Sequence, residues 1–142
     1  METPAEPHLI TFPRIEDPRG NLSFIEGGKL LPFEIERVYW TYDIPSDSTR
    51  HGRALRTCAE VVIATSGCFE VTVDRGNGSS KRYTLRSSNT GLYIPPMTWR
   101  TIDGFVTGST CLTIASKLYD EDDYIRDYQL FTASLTDELR QP

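Results

Sequence analysis

From residue 9 to residue 115 the chain is cut by turn-forming residues about every 8 to 12 positions, and the pieces between are short and alternate polar with apolar side chains. The turns have defined chemistry: DPRG at 17–20, Ser66-Gly67, and GNGSS at 76–80, where Pro presets φ and Gly permits positive φ. This rhythm predicts strands over 9–12, 21–26, 33–42, 51–57, 59–65, 68–75, 81–85, 91–94, 99–102 and 109–115. Strands so short and so evenly spaced indicate an antiparallel sandwich or barrel. A chain of 142 residues suffices for one core, so a single domain over 1–142 is expected. Within it, residues 1–8 are Pro-rich and read as a frayed tail, 9–116 as the barrel, and 117–142 as a C-terminal segment with one or two short helices. The helical reading rests on the acids of DEDDYIR at 120–126, which suit a helix N-terminus.

The formal net charge of −5 argues against a nucleic-acid surface, which needs a basic face or stripe. Cys58, Cys68 and Cys111 are odd in number and free of any CxxC spacing, so neither a disulfide framework nor a zinc site is expected, and a reducing cytoplasm fits. The N-terminal residues carry no signal-peptide pattern and no stretch approaches the ~18 apolar residues of a membrane span, so a soluble protein without membrane contacts is expected.

The segment TRHGRALRTCAE at 49–60 holds the most chemistry. Residues two apart on a strand share a face, which groups His51 with Arg53, Leu55 and Thr57. His51 has the side chain suited to proton transfer near neutral pH, although a lone histidine is more often structural or exposed than catalytic. Glu60 is a second candidate base, on the opposite face unless a bulge near Cys58 and Ala59 intervenes. Tyr39 is a candidate acid. Arg37 shares its face, and a buried arginine must meet an anion. With only His8 and His51 available, a metal centre of three histidines and a carboxylate is not expected, and no cofactor is implied. Arg50, Arg53 and Arg56 cluster closely enough to hold the phosphates of a small ligand. In GLYIPPMTWR at 91–100, Tyr93 could donate a hydrogen bond, and Trp99 could stack on a ring or be a core residue at a rigid corner.

With ERVYW, SGCFEV, GLYIPPMTWR and SKLYDEDDYIRDY in place, the chain resembles the sugar 3,4-ketoisomerases of the cupin superfamily over residues 15–131. Those include the dTDP-4-keto-6-deoxyglucose 3,4-ketoisomerases and the WxcM-like proteins of surface-glycan biosynthesis. The resemblance implies a jelly-roll barrel, a homodimer, a dTDP-linked keto sugar as substrate, and no metal. It also implies a reaction in which a base removes the C3 proton, an enediol forms, and a proton returns at C4.

The chain departs from the family at one strand. Where the family carries G-x-H-A-H-K/R, Arg53 and Leu55 stand at the two histidine positions, and Ala59 and Glu60 at the following Glu-Gln pair. Arginine, with a pKa above about 12, is a poor base and leucine is none. His51 lies one pleat repeat upstream, roughly 6.6 Å along a regular strand. Arg19, in the D-x-R-G turn, and Arg100, after Trp99, match positions that bear on C4 stereochemistry in the family. Three readings follow: an isomerase or epimerase using His51, Tyr39 or Glu60 for proton transfer; an inactive relative that binds a nucleotide sugar or partners an active enzyme; and a barrel that binds a different small molecule.

Overall fold

In the computed structural model the described residues are 4–140, apart from the side chains at 51 and 136–140. The strands in chain order are β1 (His8–Thr11), β2 (Arg14–Ile15), β3 (Leu22–Ser23), β4 (Arg37–Thr41), β5 (Arg50–Leu55), β6 (Glu60–Ser66), β7 (Phe69–Asp74), β8 (Ser80–Leu85), β9 (Thr90–Ile94), β10 (Trp99–Asp103), β11 (Thr110–Ala115) and β12 (Tyr124–Ile125). One helix, α1 (Tyr128–Arg140), follows. Two five-stranded sheets, ordered β1-β9-β6-β11-β4 and β12-β5-β10-β7-β8, are antiparallel throughout, and β2 pairs with β3 as a separate ribbon. This is the all-β jelly roll that the spacing and the resemblance predict, with one helix at its end.

Alternation decides what fills the space between the sheets. Phe69, Val71 and Val73 of β7 are buried while Glu70, Thr72 and Asp74 are not. They meet Val62, Leu92, Ile94 and Ile102 in the interior core. The apolar run of β6 is buried on both faces because β9 and β11 flank it and residues before β4 cover its outer side. That outer layer packs Val61, Ile63, Tyr93 and Ile114 against Leu31 and Phe33. At the tight Ser66-Gly67 turn, Gly67 has φ +76° and lies so close to Ser109 that a Cβ would collide with it.

Three expectations change. His8 is not part of a frayed end: it heads β1 opposite Tyr93, and the carbonyls of Pro4 and Ala5 accept from Tyr93 and Arg75. The short C-terminal helix expected is α1, but it begins at Tyr128, past the acids at 120–126. Asp120 caps a single 3₁₀ turn over Glu121–Asp123, after which β12 pairs with β5 and draws the chain onto the sheet. The third change lies in β5. Arg100 pairs with Arg53 and Ile102 with Arg50, so two steps along β10 face three along β5, and the extra residue falls at His51 and Gly52. This bulge interrupts the alternation that grouped His51 with Arg53. Arg50 and Arg53 instead line one cavity. The side chain of His51 lies outside the described residues.

Candidate active site

Four strands converge on one polar cluster. On β4 the side chains of Arg37, Tyr39 and Thr41 turn inward and Val38 and Trp40 face out. Glu60 opens β6, the central strand of its sheet, and is 0% exposed. Arg100 of β10, 2% exposed, and Arg53 of β5 pair across the opposite sheet.

The Tyr39 hydroxyl donates to Glu60 Oε2 at 2.6 Å and accepts from Arg53 Nη2 at 2.8 Å. Arg100 Nη1 donates to Glu60 Oε1. Arg53 Nη2 stands 3.8 Å from Glu60 Oε1 and Arg37 Nη2 stands 4.0 Å from Oε2, so these two neighbour the carboxylate without bonding to it.

Charge is the outstanding property of this cluster. Three guanidiniums surround one carboxylate, and the buried Nε atoms of Arg37, Arg53 and Arg100, with Nη2 of Arg100, have no protein partner. Buried cations are costly unless neutralised, so the interior is prepared for negative charge on whatever it binds. Burial first, and then the charge of Glu60, push the Tyr39 phenol well above its ordinary value. It therefore holds its proton at neutral pH and can pass it to Glu60 only when another proton arrives.

Access is from the end of the barrel. A cleft of about 350 Å³ is lined by Tyr42, Ile44, Ser48, Arg50, Arg53 and Arg126, among others. Behind it, a cavity of about 20 Å³ touches Tyr39, Thr41, Cys111 and Thr113. That is room for about one water. Arg50 and Arg53 line both spaces and so stand between them. Burial pushes the Cys111 thiol up to about 11, which leaves it neutral.

The fold thus brings together Tyr39, Glu60, Arg37, Arg53 and Arg100, and leaves three other expected residues elsewhere. Tyr93 lies on the outer side of its sheet against His8 and Phe33, with its hydroxyl donating to the Pro4 carbonyl at 3.0 Å. Trp99 alternates with Arg100 and so faces outward, meeting Tyr128 edge-on at 5.4 Å and Phe131 at 5.8 Å. Arg19 is exposed and bonded to Asp17 within the β2–β3 turn. Leu55, at one of the two histidine positions, is fully buried with Cys58 and Ala115. Sequence reasoning assigned no role to Tyr119, Asp123, Tyr124 and Arg126, although the run containing them was distinctive. Among the described residues no group of three or more His, Cys, Asp or Glu is placed to hold a metal ion, and no helix is long and apolar enough to cross a membrane.

An antiparallel roll with its charged side chains gathered on the inner face at one end is a cupin-type barrel of the kind found in sugar isomerases. The family model described as FdtA: WxcM-like, C-terminal matches residues 5–136, and the chain belongs to that family. It is 36% identical over 126 residues to a TDP-4-oxo-6-deoxy-alpha-D-glucose-3,4-oxoisomerase of Aneurinibacillus thermoaerophilus, covering 89% of this chain and 90% of that one. It superposes on the sugar 3,4-ketoisomerase QdtA of Thermoanaerobacterium thermosaccharolyticum, solved in complex with TDP, with a TM-score of 0.90 at 33% identity, over 94% of this chain and 97% of that one. The WlaRB TDP-quinovose 3,4-ketoisomerase of Campylobacter jejuni gives 0.86 at 32% identity, over 91% and 98%.

Proposed function

We propose that this protein is a TDP-sugar 3,4-ketoisomerase that moves the carbonyl of a TDP-linked 4-keto-6-deoxyhexose from C4 to C3, in deoxysugar biosynthesis. The near-full-length likeness to a 3,4-oxoisomerase, 36% identical over 126 residues, carries this reading. The interior chemistry is compatible with it. Isomerisation needs a group that takes the C3 proton, cations around the enediolate, and a proton for C4. As the Tyr39 oxygen accepts the C3 proton, its own proton passes along the 2.6 Å bond to Glu60. The phenol stays neutral and the carboxylate becomes a carboxylic acid. Reversal of the relay delivers a proton to C4 as the C3 hydroxyl proton passes to the C4 oxygen of the enediolate, which leaves the carbonyl at C3 and restores both groups. Arg37, Arg53 and Arg100 hold the enediolate oxygens, which supply the negative charge that the cluster lacks. Arg50, at the inner end of the cleft, suits the diphosphate.

His51 belongs to the same strand and is the third candidate for proton transfer. A cytoplasmic homodimer completes the proposal, supported by the uncovered face of β4, where Trp40 is 58% exposed. The test is incubation with TDP-4-keto-6-deoxyglucose and identification of the product by NMR. A 3-keto sugar is the expected product; TDP binding with no conversion of this sugar would defeat the reading.

A further inference from the structure

The segment from Tyr119 to Arg126 takes no part in the proton relay, yet it forms one wall of the cluster. Pairing of Tyr124 with Leu55 and of Ile125 with Ala54 puts successive side chains of β12 to opposite sides. Ile125 is buried against Ala54 and Phe131. The Tyr124 ring is 5.8 Å from the Arg53 guanidinium and 4.6 Å from that of Arg126, within the range of cation–π attraction. Its hydroxyl accepts from Arg37 Nη2 at 3.3 Å. Tyr119 lies beside it at 5.6 Å, tilted by 44°, and meets the Arg37 guanidinium at 5.5 Å, with Tyr39 5.1 Å from the same guanidinium.

The register of this wall is fixed. Asp123 accepts from the Thr57 amide and hydroxyl and from the Cys58 amide at 2.9, 2.8 and 3.1 Å, which ties it to the turn joining Arg53 to Glu60. Glu60 makes no hydrogen bond to Arg37 or Arg53, which stand 4.0 and 3.8 Å from it, and Arg53 donates to the Tyr39 hydroxyl at 2.8 Å. Among the described residues, Tyr124 makes the only hydrogen bond to the Arg37 guanidinium.

We propose that Tyr124 is a positioning residue: its hydroxyl aims Arg37 and its ring holds Arg53, so that the C-terminal strand sets the direction of two of the three cations around Glu60. It does not touch the reacting atoms. Arginines left to their own long side chains sample many rotamers, and an aromatic face with one acceptor removes most of that freedom.

The test compares Tyr124→Phe, which keeps the ring, with Tyr124→Leu, which does not. Side-chain ¹⁵N NMR reads the guanidiniums directly. In the wild type, Arg37 and Arg53 should give slowly rotating Nη signals. Tyr124→Phe should average the Arg37 signal and spare Arg53, and Tyr124→Leu should average both. Turnover, which rests on the isomerase reading, should fall about tenfold in kcat for Tyr124→Phe, the loss of roughly one hydrogen bond. Tyr124→Leu should fall on the order of a hundredfold, as for misplaced groups, with KM nearly unchanged. Unchanged Arg37 signals in Tyr124→Phe would overturn the proposal, whether or not Tyr124→Leu folds. A wild type without turnover whose guanidinium signals still depend on Tyr124 would defeat the isomerase reading and uphold the positioning role.

Discussion

Glu60 and Tyr39 form the smallest unit that explains the site. Glu60 is buried with no solvent contact and is the carboxylate that all three arginines face. Replacing Glu60 by Gln leaves those cations without a counter-charge. The expected cost is ~3–5 kcal/mol, read from the midpoint of urea denaturation, together with loss of isomerisation. Tyr39→Phe removes the proposed proton carrier and should lower kcat on the order of 10²–10⁴-fold, the worth of general acid–base catalysis. The same residue predicts a pH effect. The folded protein holds the Tyr39 proton more tightly than the unfolded chain, whose tyrosine has the ordinary value of 10.0. Stability from this difference is complete below that pH and is lost as pH rises above it. The alkaline fall in stability should therefore be shallower in Tyr39→Phe, as measured by thermal denaturation between about pH 9.5 and 11.5.

Elements decide which residues reach that unit. The alternation of β4 was legible: Arg37 and Tyr39 were read to one face, and the strand keeps them there. Alternation also held information that went unused, since Trp99 and Arg100 are neighbours on a strand and cannot both point inward. Once Arg100 occupies the interior, Trp99 must lie outside, under α1. The β5 bulge was not legible, because a bulge is a property of pairing with β10 and leaves no mark in one strand's pattern. Nor did any periodicity connect 119–126 to the barrel interior, since β12 is two residues long and is placed by contacts distant in sequence.

The bulge supplies a prediction. A Cβ at Gly52 would collide with the Trp99 indole, so Gly52→Ala should destabilise by ~1–3 kcal/mol in thermal denaturation. Adding Trp99→Leu should recover part of that loss, because the two changes share one contact.

The whole molecule joins a rigid roll to a charged end. Its two sheets enclose an apolar core, and the polar cluster sits where β4, β5, β6 and β10 meet β12. The family was legible from motifs spread over nearly the whole chain. The residues that replace the two histidines were equally visible, but their meaning needed three dimensions: Arg53 bonds to Tyr39, and Leu55 is sealed in the core. At this scale the proposed homodimer would use the outward face of β4, where Val38 and Trp40 are exposed. Trp40→Glu should convert the expected dimer to a monomer in light scattering; a dimer of unchanged mass would place the interface elsewhere.

The central claim is that Tyr39 and Glu60 take the proton from C3 and, after exchange with solvent, deliver a proton to C4. Its most direct measurement is NMR of TDP-4-keto-6-deoxyglucose in deuterated buffer with the wild type, Tyr39→Phe and Glu60→Gln in parallel. The wild type should exchange the C3 hydrogen and yield a 3-keto sugar deuterated at C4, while both variants bind TDP and leave C3 protonated. Wild-type exchange rates in the folded variants would contradict the claim.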